Sequence, residues 1–77
     1  MSTDKGRMDA VWTWKDRVII TELKYTKDGS VEHLLEDAMT QMLERRYYER
    51  YAKNGNRIAL LAIVFVGKEA FCRIKEL

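Results

Sequence analysis

The chain reads as an α+β protein: a mixed four-stranded sheet made from a β-hairpin, one long helix and two further strands, with the helix on one face. Three observations predict it. Two runs rich in apolar and aromatic residues, Met8 to Trp14 and Arg17 to Tyr25, flank the polar pair Lys15-Asp16. Apolar residues then recur at three- and four-residue spacing from Val31 to Met42. A nearly unbroken apolar run, Arg57 to Val66, follows the breaker Asn54-Gly55-Asn56.

Each run has the chemistry its element needs. Val11, Val18, Ile19 and Ile20 supply the β-branched content of paired strands, and a two-residue loop at Lys15-Asp16 sets an even hairpin register. That register pairs Trp14 with Arg17, Thr13 with Val18 and Val11 with Ile20. Lys27, Asp28, Gly29 and Ser30 break the chain, and Ser30 is a suitable N-cap for a helix whose early Glu32 and Glu36 favour the positive end of the dipole. Val31, Leu34, Leu35, Ala38, Met39 and Met42 form one apolar stripe, and the helix is expected to run to about Lys53. Gly55 can take the left-handed conformation that ends it. The Arg57–Val66 run resembles a parallel strand covered on both faces. Gly67 to Glu69 form a turn, and Ala70 to Leu77 pair back as an edge strand. A strand, a long helix and another strand imply a right-handed parallel crossover, so the expected sheet has its strands in sequence order with only the second and third parallel.

The chain has 77 residues, of which 47% are hydrophobic and 34% charged, with a net charge of +2. This suits one folded domain, 1–77, and argues against disorder. No run approaches the length of a membrane span. The single cysteine, Cys72, cannot form an internal disulfide, which fits a reducing, cytoplasmic setting. Arg45, Arg46, Arg50, Lys53 and Arg57 cluster. They form either a solvated surface balanced by Glu44 and Glu49 or a face that contacts nucleic-acid phosphates, with Arg45, Arg46 and Lys53 the candidates.

The strands carry the sharper signal. Glu22 and Lys24 are two apart and share a sheet face. The even register, counted outward, sets Asp9 opposite Glu22 on that face. Two carboxylates at cross-strand distance repel unless a cation lies between them. Oxygen ligands of this kind suit Mg²⁺ or Mn²⁺. The alternative is an Asp–Lys–Glu cluster on a solvated sheet surface, but Val11, Val18 and Ile20 make that same face apolar.

These residues resemble the PD-(D/E)XK nuclease superfamily. The resemblance rests on Gly6-Arg7-Met8-Asp9, the Val18-Ile19-Ile20-Thr21-Glu22-Leu23-Lys24 strand, the helix with Gln41 and Tyr47, and Gly55-Asn56-Arg57 before an apolar strand. More closely, the chain looks like the nuclease-like C-terminal domain of bacterial AAA-ATPase-like proteins. The resemblance implies a restriction-endonuclease-like α/β core. It makes Asp9 and Glu22 the metal ligands and Lys24 the catalytic lysine, with Gln41 matching a glutamine on the helix after the Glu-x-Lys strand. Some relatives carry tyrosine where Arg45 stands. The family's core begins with a helix and a strand that this chain lacks, so the chain is expected to be a partial domain with one sheet face and one edge uncovered.

The expected function is Mg²⁺-dependent hydrolysis of nucleic acid, DNA before RNA. The alternative is a nonenzymatic interaction or oligomerisation module of a larger ATPase-like protein. A third possibility is a small nucleic-acid-binding domain that uses the arginine-rich helix end. The expected partners are nucleic acid, a second copy of the chain through the exposed strand or face, and the ATPase-like remainder of a longer chain; no membrane is expected. His33 and the tyrosines after Gln41 are read as surface and packing residues, while Trp12, Trp14 and Tyr25 should share one sheet face.

Overall fold

A computed structural model describes residues 10–27, 29–46, 48–53 and 55–77. The elements in order are β1 (Ala10–Trp14), β2 (Arg17–Thr26), α1 (Val31–Arg45), α2 (Tyr48–Ala52), β3 (Arg57–Val66) and β4 (Glu69–Glu76). The four strands form one sheet in the order β1-β2-β3-β4. The β2–β3 pair is parallel and the two outer pairs are antiparallel. The expected architecture is therefore the observed one.

The hairpin register is also as expected. Lys15, at φ 57°, completes a tight turn, and Trp14 pairs with Arg17, Thr13 with Val18 and Val11 with Ile20. The last described pair is Ala10 with Thr21. Met8 and Asp9, which were expected to extend this strand, lie outside the described residues.

The period-two alternation of the strands sends Val18, Ile20, Ile58, Leu60, Ala62 and Val64 to one face. There they meet Leu35, Ala38, Met39 and Met42 of α1 in a single buried core. Leu60, Ala62 and Val64 have no exposed surface. A fully buried aliphatic side chain of this kind contributes about 1.5–3 kcal/mol. At the start of the helix, the Gly29 N–H donates to Thr26 Oγ1 at 3.0 Å, and a Cβ at Gly29 would lie 2.6 Å from that oxygen. A side chain at this position would therefore displace Thr26 Oγ1 and its hydrogen bond. Arg73 of β4 pairs with Glu32 of α1, tying the edge strand to the helix's first turn.

Two expectations are corrected. The long helix does not run unbroken to Lys53: α1 ends at Arg45, Arg46 adopts φ 56° and ψ 31° as its C-cap, and the short α2 follows. Left-handed backbone usually calls for glycine or asparagine. An arginine there gave no sequence signal, so the apolar pattern ran on without a break. Ser30 holds the N-cap position as expected, and its side chain makes no capping hydrogen bond. Instead its carbonyl accepts from the Leu34 N–H at 3.1 Å, the ordinary first bond of the helix. Finally, among the described residues no element covers the second face of β3. Its even-numbered residues from Ile58 to Val64 are buried, whereas Ala59, Leu61, Ile63 and Phe65 are half-buried. An apolar strand in the middle of a sheet looks the same in sequence whether one or both of its faces carry a covering layer.

The other sheet face has no covering element among the described residues. Trp12, Trp14 and Tyr25 share it, as expected, and are 61%, 67% and 74% exposed. Tyr25 stacks on Phe65 with ring centroids 5.3 Å apart, and Lys15 Nζ sits 4.6 Å from the Trp14 ring centre. Among the described residues, no helix is long and apolar enough to cross a membrane.

Candidate active site between β2 and α1

The site begins with strand alternation. Glu22 and Lys24 follow Val18 and Ile20 onto the face that α1 covers, while Leu23 points to the other side. Glu22 is only 5% exposed, one of two buried polar residues among those described. A carboxylate taken out of water needs ionic or hydrogen-bonding partners to offset the cost. Lys24 Nζ lies 3.6 Å from Glu22 Oε2, and Arg45 Nη1 lies 3.6 Å from Glu22 Oε1. Lys24 Nζ also donates to Gln41 Oε1 at 3.2 Å.

The spacing of these contacts follows from the geometry of the two elements. α1 runs back along β2, so helix numbers rise as strand numbers fall. Four helical residues advance about 6 Å, and two strand residues advance about 6.6 Å. Gln41 and Arg45 therefore stand over Lys24 and Glu22 in nearly matched steps. The same stretch of the helix carries Ala38 and Met42 into the core. Apolar packing thus sets the depth at which the polar pair meets the strand.

The other candidates are placed as follows. Asp9 lies outside the described residues. Arg46 is exposed and lies 3.8 Å from Glu49, and Lys53 is exposed beyond α2. Arg45 was grouped with these as a phosphate contact, but its side chain is 22% exposed and turned onto Glu22. His33 is on the surface, 3.4 Å from Asp37. Tyr48 and Tyr51 pack beside the core, the Tyr51 carbonyl accepts from Asn56 Nδ2 at 3.0 Å, and Tyr47 lies outside the described residues.

Chemically, the cluster offers one carboxylate in a low-dielectric setting, an ammonium beside it and an amide that holds the ammonium. The carboxylate and amide oxygens are hard donors of the type that Mg²⁺ and Mn²⁺ prefer. Among the described residues, no three acidic, histidine or cysteine side chains come together as a metal cage. The donor type suits a hard divalent ion, and Glu22 is the described carboxylate of this cluster that could hold one.

The sheet order, the helix across one face, and a Glu-x-Lys pair with its glutamate buried, on the strand leading into that helix, are those of a restriction-endonuclease-like core. A family model of the PD-(D/E)XK nuclease superfamily matches residues 1–75, and the chain belongs to that superfamily. No curated protein and no solved structure matches the chain significantly.

The contact that sequence reading missed is Arg45 on Glu22. Its signal was present: Arg45 lies one helical turn beyond Gln41, just as Glu22 lies one strand repeat before Lys24. The charge cluster running on to Lys53 drew Arg45 into a surface reading instead.

Proposed function

We propose that this domain hydrolyses phosphodiester bonds of nucleic acid, DNA before RNA, with Mg²⁺ or Mn²⁺ held by Glu22 and Asp9. The observation that carries this reading is the buried Glu22 with Lys24 at 3.6 Å, Lys24 itself being fixed by Gln41 at 3.2 Å. When bound, the metal polarises the phosphodiester and lowers the pKa of a water. Lys24 is 22% exposed, so its ammonium can face both Glu22 and a phosphate arriving from solvent, where it neutralises charge that builds in the transition state. Gln41 positions that ammonium through its carbonyl oxygen. Asp9 enters by extension of the hairpin register: the five described pairs run from Trp14–Arg17 to Ala10–Thr21, and one further pair in the same register would set Asp9 opposite Glu22. Arg46 and Lys53 are exposed cations suited to phosphate contact.

The test is cleavage of single- and double-stranded DNA and of RNA, with Mg²⁺, with Mn²⁺ and with chelator. Cutting should need the metal and be lost in Glu22→Gln, Asp9→Asn and Lys24→Ala. Cutting that survives all three substitutions would end this reading.

A second reading is favoured by the uncovered face carrying Trp12, Trp14, Tyr25 and Ile74, each more than half exposed. Four strands of this length project on the order of 500 Å². Two such faces stacked would bury about 1,000 Å², the lower range for a specific interface. On this reading the domain is an interaction module that joins a second copy, or the ATPase-like part of a longer chain, and Asp9, Glu22 and Lys24 are not needed for association. A cytoplasmic location goes with either role.

A further inference from the structure

Among the described residues, the site holds one cation more than the chemistry proposed for it uses. Lys24 stands 3.6 Å from one oxygen of Glu22 and Arg45 stands 3.6 Å from the other. Glu22's side chain is 7% exposed, so bulk water cannot reach it freely, and these two side chains help to balance its charge. Gln41 bonds Lys24, which leaves Arg45 held at this point by Glu22. Arg45 sits in the last turn of α1, next to the left-handed residue that ends the helix. Its long side chain is 22% exposed, so the guanidinium can swing outward into water without disturbing the core.

We infer that Arg45 is the resident counter-cation of Glu22 and competes with a divalent ion for that carboxylate. The inference rests on the proposed role of Glu22 as a metal ligand. Among the described residues the cluster holds one carboxylate, Glu22, and two cations, Lys24 and Arg45, a net charge of +1 before any metal arrives. A divalent ion at Glu22 would raise that charge to +3 unless Arg45 moved away. Like charges within a few ångströms in a partly desolvated site repel strongly. Metal loading and release of Arg45 from Glu22 are therefore one coupled event. Occupancy by metal is set in part by where this arginine lies, and a polyanion that draws the guanidinium outward would favour loading.

The experiment is a Mn²⁺ titration, followed by the electron paramagnetic resonance of free Mn²⁺, on the wild-type chain, Arg45→Gln and Arg45→Lys, each also combined with Glu22→Gln. Arg45→Gln should bind at least about tenfold more tightly than wild type, a difference of about 1.4 kcal/mol. Arg45→Lys, which keeps the charge, should stay near wild type, and Glu22→Gln should remove the gain. Glu22-dependent binding in wild type with no tightening in Arg45→Gln overturns the inference and leaves the proposed site standing. Absence of Glu22-dependent binding in every protein overturns the site and the inference with it. If Arg45→Gln does not fold, NMR of the wild type decides. On adding Mg²⁺, the Arg45 side-chain N–H signal should shift with the same midpoint as the Leu23 amide. A fixed Arg45 signal beside a responding Leu23 overturns the inference, and silence of both overturns the site as well.

Discussion

Glu22→Gln and Arg45→Met, made singly and together, isolate the ion pair at the centre of the site. At an effective dielectric of about 20, unit charges separated by the observed 3.6 Å attract by about 5 kcal/mol, which bounds the interaction from above. Two effects reduce it. Arg45's side chain is 22% exposed and therefore partly screened, and holding a long side chain in one place costs conformational entropy. Glu22's side chain, at 7% exposure, keeps the pair well above the value of a surface contact. The coupling energy in a double-mutant cycle should be about 1–3 kcal/mol. A domain of this length has a total stability of about 4–12 kcal/mol, so the loss is large enough to measure. Urea unfolding followed by far-ultraviolet circular dichroism is the suitable assay, because Trp12 and Trp14 are mostly exposed and make poor reporters of core unfolding. A coupling below about 0.3 kcal/mol is the value of an exposed pair, and it would refute the claim that Arg45 balances a desolvated carboxylate.

Arg46→Gly should stabilise the chain by about 0.5–1 kcal/mol, since glycine adopts the left-handed cap at φ 56° without steric penalty and the exposed contact to Glu49 contributes little. A lower urea midpoint would show that the cap is not left-handed. The combined variant Trp12→Ser with Trp14→Ser should reduce self-association in light scattering at high concentration while leaving the circular dichroism spectrum intact. A wild-type chain that stays monomeric at every concentration would argue against pairing through this face.

The fold was legible because its signals are local and periodic. The Lys15-Asp16 turn fixed the hairpin register, the Val31–Met42 stripe fixed the buried face of α1, and Gly55, at φ 78°, marked the approach to β3. What escaped were features without a periodic signature. An arginine at a left-handed position looks like any helical arginine, so the break at Arg46 was invisible. Whether a second layer covers the face with Leu61 and Ile63 cannot be read from the strand itself. Part of the candidate site was legible: Glu22 and Lys24 share a face by strand alternation, while Gln41 was expected only from the family resemblance. The role of Arg45 needed the tertiary match between helical rise and strand rise, which depends on how far α1 slides along β2. That slide is set by Ala38 and Met42 packing on the sheet rather than by any motif.

The central claim is that Glu22 and Asp9 hold one divalent ion on the α1 side of the sheet. A crystal of the chain grown with Mn²⁺, with data collected for the anomalous signal of manganese, tests it directly. The account predicts one peak within coordination distance of both carboxylates, with Lys24 beside it and Arg45 displaced from Glu22. Manganese bound elsewhere, or the two carboxylates found on opposite sides of the sheet, would contradict it.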